Sequence, residues 1–274
     1  MKLIKLIIAV AFLPVFANAQ TIKLNLAKGT KYEVSTATKV SSVATVMGQE
    51  METSIDNNMV ETIQVKDKRA GETDLVSTIS KITMNMQGMG QTTTYDSDKA
   101  DNTGAVTDML DKMKGRVKNI TVDAGGKITK QDNTEEIAGA SMMGISNEAI
   151  SFIQNIFIGR EMKAGVTWYD SATIAADKLT TFTAGTYTIQ AVNATTVTIA
   201  FKGTQTSSGT LEQMGMEMAT TSSSKVTSQF EIEIATGLIK QSTQTTDGTM
   251  SIEAGGMSIP ATTKTTVTMT TKQL

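Results

Sequence analysis

Apolar and polar residues alternate along most of this 274-residue chain, the pattern of strands with one buried and one wet face. Ile22, Leu24 and Leu26 alternate with polar neighbours, and Tyr32 and Val34 open a second run. Val76, Thr78, Ser80, Ile82, Met84 and Met86 would share one face of a third. The pattern returns at Tyr187 and Ile189, at Val197, Ile199 and Phe201, at Phe230, Ile232 and Ile234, and at Val267 and Met269. Gly, Asn and Asp separate most of these runs, as turns require. Thr262 to Thr271 reads either as another strand or as a low-complexity tail, and Val267 and Met269 favour the strand.

Two stretches change period. Val106, Met109, Leu110, Met113 and Val117 fall at helical spacing, with Asn102 or Thr103 as N-cap and Gly115 as a stop. From about Thr134 to Gly159 a second helix is expected, opened by Asn133 and Glu136 as a capping box, with Ile145, Ala149, Phe152 and Ile156 on one stripe beside Ile150, Ile153 and Phe157. Lys28-Gly29-Thr30-Lys31-Tyr32 before it and Lys163-Ala164-Gly165-Val166-Thr167-Trp168 after it resemble each other. Thr62-Ile63-Gln64-Val65 and Thr188-Ile189-Gln190-Ala191 are a second echo. The expected fold is therefore mainly β with two helices, an α+β arrangement. It is a strongly curved antiparallel sheet, or a duplicated β unit, with helices on the concave face. The expected boundaries are a signal peptide at 1–19, a first β unit with a short helix at 20–132, a helical connector at 133–160 and a second β unit at 161–274.

Lys2 and Lys5, the apolar run Leu6 to Phe16 and Ala17-Asn18-Ala19 have the order of a secretory signal peptide, with cleavage leaving Gln20 first. The expected location is periplasmic or extracellular in a bacterium, soluble after cleavage. No later stretch reaches the roughly 20 apolar residues of a spanning helix, so the chain is expected not to span the membrane. With no cysteine, no disulfide holds the fold, and stability rests on burial. Twenty-five Lys and Arg against 27 Asp and Glu leave no basic footprint for nucleic acid.

The candidate chemistry narrows by subtraction. The chain has no histidine, which excludes His-based triads and zinc sites built on His or Cys. No phosphate- or dinucleotide-binding glycine loop stands between a strand and a helix. Asp96, Asp98 and Asp101 miss the EF-hand pattern, since Ala100 stands at the fifth place and Asp101 where glycine is needed. Neither an enzyme nor a cofactor is expected.

Methionine is unusually abundant, at 18, and clusters at Met47 and Met51, at Met84, Met86 and Met89, at Met214, Met216 and Met218, and at Met250 and Met257, mostly near glycine-marked hairpin tips. Thioethers fill irregular cores, line adaptable apolar sites or bind Cu(I). The preferred reading is non-catalytic binding of an apolar small molecule or lipid. Phe152, Ile153, Ile156 and Phe157 would form the floor of the site, and Met84, Met86, Met214 and Met216 its deformable rim. The alternatives are a structural or protein-interaction module of the envelope, and Met-based Cu(I) binding. Oligomeric state is not encoded in these patterns.

The order of signal peptide, Gly29-x-x-Tyr32 strand, Thr-rich strands, short helix, Asp123-Ala124-Gly125-Gly126-Lys127-Ile128 turn, connecting helix and Gly165-x-x-Trp168 strand resembles an uncharacterised family of secreted bacterial β-rich proteins. That resemblance implies no catalytic residues. A curved sheet with helices on its inner face is also similar in architecture to the half-barrels of periplasmic lipoprotein carriers, a likeness that does not fix function.

Overall fold

The computed structural model describes residues 21–88, 90–100, 102, 106–132, 152–176, 178–213, 216–254 and 257–274. In chain order they form β1 (Lys31–Val46), β2 (Gln49–Arg69), β3 (Glu72–Gly88), β4 (Gln91–Asp96), α1 (Thr107–Met113), β5 (Val117–Asp123) and β6 (Ile128–Gln131). There follow β7 (Thr167–Ala176), β8 (Leu179–Val192), β9 (Thr196–Gln213), β10 (Met216–Glu233), β11 (Ile239–Ala254) and β12 (Met257–Gln273). All twelve strands lie in one sheet of order β6-β5-β3-β2-β1-β12-β11-β10-β9-β8-β7, with β4 paired to the distal half of β3. Every pairing is antiparallel. The strands before and after the connector join through β1 and β12, which pair from Tyr32↔Gln273 to Ala44↔Ala261.

This corrects the α+β expectation: among the described residues the fold is nearly all β, a single large sheet with one short α-helix rather than a layer of helices on a concave face. Among the described residues the one α-helix is α1, and the part of the expected connector helix that is described, 152–159, holds only a 3₁₀ turn at Asn155–Phe157. Its backbone groups are satisfied elsewhere. Phe152 O accepts from Ile239 N at the start of β11, Gly159 N donates to Ile22 O, and Ile22 N donates to Arg160 O. A segment whose amides and carbonyls find sheet and strand partners has no need of helical ones. The rest of the expected connector helix and the signal peptide lie outside the described residues.

Smaller corrections follow the same logic. Val117, expected on the first helix, opens β5 after Gly115 turns the chain at φ 76°. The stretch Ile22 to Leu26 is extended but belongs to no named strand. Ile22 and Leu26 are buried, and its backbone bonds to the 152–160 segment and, through Asn25 N to Thr236 O, to the β10–β11 turn. In β3 a register shift at Ser80 changes the inward parity. Thr73, Leu75, Ser77 and Ile79 face in before it, Ile82 and Met84 after it, so Val76, Thr78 and Ser80 do not share a face with Ile82.

The main core gathers Tyr32, Ile63, Leu75, Ile120, Ile189, Ile199, Ile232 and Met269 around Ile22, Leu26, Phe152, Ile153 and Phe157. In a flat sheet β5 and β8, eight strands apart in the order, would lie about 38 Å from each other at roughly 4.8 Å per strand. Yet one short segment touches both flanks. A Cβ on Gly126, in the β5–β6 turn, would meet Ile153 at 2.9 Å, while the Phe157 ring centroid lies 5.7 Å from that of Tyr187 in β8. The sheet therefore curls around residues 21–26 and 152–158 as a plug. At Gly237 a Cβ would stand 2.4 Å from Lys23 O, so only glycine lets the plug cross that turn. Phe152→Ala should cost about 3–5 kcal/mol, because the sheet cannot close over the vacated ring; chemical denaturation of both proteins measures it.

Candidate functional site

The antiparallel registers fix which side chains share the plug's face of the sheet, and that inner face changes character along the strands. At the plug end it is closed and aromatic. Phe157 packs edge-on against Phe230, centroid to centroid 5.0 Å, and Trp168 stacks on Tyr187 at 5.2 Å and 12°. Burial pushes the Tyr187 hydroxyl up to about 12, with Asp170 adding to the shift. Arg160 lies 4.8 Å from the centre of the Trp168 ring. Paired Gly185 and Gly203 mark the upper limit of this region on the β8–β9 side: a Cβ on either would stand 2.6 Å from the Phe201 ring, which lies across them.

Above it a buried polar belt crosses β1, β2, β3 and β5. Thr38 faces Asn57, and Glu61, Ser77 and Lys118 are also buried. Burial raises the Glu61 pKa, while the Lys118 charge and a 3.2 Å hydrogen bond from Ser77 Oγ partly oppose the shift. Burial depresses Lys118, with Glu61 opposing. Asn57 Oδ1 and Thr271 Oγ1 are buried without a hydrogen-bond partner.

Beyond the belt the inner face turns aliphatic and thioether-lined over β3 and β2, whereas β12 and β11 carry Thr265, Thr246 and Thr263 before their distal ends. Met84 and Ile82 sit under α1 with Leu110 and Met113, and Met86 packs against that cluster. Further out, one row runs Met51–Ala44–Ala261–Met250, and the next pairs Ile259 with Ile252. Met51, Ala44, Met250, Ile252 and Ile259 are half-buried. Across β8 and β9 the same face is polar, with Gln205 Nε2 donating to Thr183 and Thr181 bonded to Ser207. The outer face is mostly polar in this region, with Lys264, Asp247 and Lys225 alternating in sign across β12, β11 and β10.

The structure thus places the candidate residues in separate environments. Phe152, Ile153 and Phe157 are inside the closed core, with Ile156 half-buried against it, whereas Met84 and Met86 belong to the cluster under α1. Met216 opens β10 opposite Gln213, and Met214 lies outside the described residues. Ile252 and Ile259 were missed by reading each run alone, and Met51 and Met250, though among the clustered methionines, were not placed in the site. Their common face emerges only when registers are joined across four strands, β2, β1, β12 and β11. Among the described residues no group of three or more acidic side chains is arranged to hold a metal. Asp98 instead receives Lys81 at 2.6 Å and Lys114 at 3.5 Å, so its charge is met by the chain's own lysines.

No helix among the described residues is long and apolar enough to cross a membrane. Residues 147–239 match DUF6263, a family of unknown function. The DUF6263 match, about a third of the chain, takes in the 152–158 plug and β7 to β10. It agrees with the resemblance to an uncharacterised β-rich family. No curated protein matches. Among solved structures, lipovitellin, described for its lipid–protein interactions, is similar over 89% of this chain at 10% identity with a TM-score of 0.48. The chain spans 25% of that protein's length. An outer membrane channel from Pseudomonas putida F1 is 7% identical over 91% of this chain and 97% of its own, with a TM-score of 0.23. OmpF of Salmonella typhi is 6% identical over 90% and 100%, with a TM-score of 0.27.

Glu61 gives a test of the belt. Its raised pKa contributes stability present at low pH and lost as pH rises from the ordinary carboxylate value through the raised one. Relative to Glu61→Gln, the wild type should lose stability across that rise; urea midpoints at a series of pH values measure the difference.

Proposed function

We propose that the protein is an exported, non-catalytic envelope protein that binds an apolar, lipid-like ligand on the distal inner face of its sheet. The carrying observation is the register-aligned strip of Met51, Ala44, Ala261, Met250, Ile252 and Ile259, which lies at the distal end of the inner face, beyond the polar row of Thr53, Ser42 and Thr263. Half-buried thioethers and aliphatic groups beside a polar belt suit an amphipathic molecule. The tail would lie on the strip, where methionine adapts to irregular shapes, and the head would point toward the unpartnered oxygen of Asn57. Export rests on the Lys2 to Ala19 segment, and a non-catalytic role on the absence of histidine and cysteine from the chain.

The packing disfavours a Cu(I) role for Met84, which is 3% exposed in an apolar cluster and offers no open coordination position. The plug residues contribute through the closed end, as the rigid base on which the strip is built.

Titration with a fluorescent fatty acid should show uptake by the wild type. The double substitution Met51→Glu with Met250→Glu should weaken it by at least about tenfold, the equivalent of ~1.4 kcal/mol, while shifting the denaturation midpoint little. Phe152→Ala should do the reverse. A wild type that takes up neither fatty acid nor phospholipid probes overturns the reading.

A further inference from the structure

The two edges of the sheet are built differently. At one edge β3 is flanked by two short strands, the six-residue β4 and, beyond β5, the four-residue β6 with Lys130 in it and Asp132 just after. Short, charged edges discourage pairing with another chain. At the other edge stands β7, ten residues long, with Asp170 as its single charged residue, no proline, and no register shift against β8. Among the described residues it is paired on one side only. It also carries exposed apolar side chains on both faces: Tyr169, 68% exposed, on the outer face, and Ile174, 51% exposed, on the inner. Phe182 of β8, on the outer face beside Thr173, is 43% exposed.

We infer that β7 is an association edge, through which two copies of this chain pair antiparallel about a two-fold axis and continue one sheet into the other. The occupant follows from the strand's own sequence. A two-fold perpendicular to the sheet sets inner face beside inner face, so the axis must pass through a residue position. With the axis at Ser171, Trp168 lies opposite Ile174 of the other copy on the inner face. Tyr169 lies opposite Thr173 on the outer face, and Asp170 lies opposite Ala172. Ser171 faces its own copy, and the three pairs next to it are aromatic with β-branched or carboxylate with a small residue, the first a stabilising class of cross-strand contact. Moving the axis to Asp170 places the two carboxylates directly opposite, a destabilising pair. Moving it to Ala172 sets Asp170 against Ile174. Of these three registers the one at Ser171 is favoured by charge and shape together, and it covers Ile174 with an indole. The contact is isologous, as most two-fold dimers are.

The absence of cysteine makes the test clean. Opposite residues of an antiparallel pair lie about 4.5–5.5 Å apart at Cα, within the reach of a disulfide. Ser171→Cys, an exposed outer-face change, should give a covalent dimer under mild oxidation, whereas Thr129→Cys on β6 should not. Native mass spectrometry and light scattering should show a wild-type dimer. Ser171→Asp, which opposes two carboxylates at the axis, should weaken that dimer at least about tenfold by adding a like-charge pair without changing the monomer's unfolding midpoint. A wild type monomeric at every concentration overturns the inference. So does a wild-type dimer in which Ser171→Cys stays uncrosslinked.

Discussion

A single constraint organises this molecule: a sheet of twelve antiparallel strands has to bury one face, and it does so by curling around its own chain at one end. The plug of residues 21–26 and 152–158 is what both flanks of the sheet share. Without it the inner residues of β5 and those of β8 would belong to separate surfaces. With it, side chains from opposite ends of the strand order meet in one core, and no disulfide is needed. The bonds that hold the plug are largely backbone ones, between Ile22 and Arg160, Gly159 and Ile22, Asn25 and Thr236, and Ile239 and Phe152. They satisfy groups that burial would otherwise leave orphaned.

The plug occupies only one end of strands that run to 16–21 residues in β1 to β3 and β9 to β12. Most strands in globular proteins have three to ten. The excess length carries the inner face past the closed core, through the belt of Glu61, Ser77 and Lys118, and out to the methionine and isoleucine rows. That gradient is the physical basis of the ligand proposal. The hydrophobic effect acts wherever apolar area can leave water, and the distal strip is where such area is only half withdrawn.

Polar groups set the internal boundaries. Burying Glu61 and Lys118 costs solvation for each, and their mutual attraction returns part of it. The outer face shows the opposite economy, with lysines, aspartate and threonines left in water where their exposure costs nothing.

Read alone, the sequence determined the dominance of strands, because period two is a local property of neighbouring residues. Tyr32 and Val34, Val197 to Phe201 and Thr262 to Thr271 all stand in strands, as their alternation predicts. Leu110 and Met113 likewise marked a real helix. The second helix was misread from Phe152 onward. Apolar residues at 152, 153, 156 and 157 suit a helical stripe, but they equally suit an extended segment packed on all sides, and spacing cannot distinguish the two. Only the tertiary structure decided it, by offering that backbone partners at the start of β11 and in the 21–26 stretch. The same holds for the distal strip and for Glu61 with Lys118. Met51 and Met250 are 199 positions apart in the chain, and nothing local sets them in one row. Their alignment depends on three successive hairpin and edge registers, and one slip of a single residue would have turned either side chain to the opposite face.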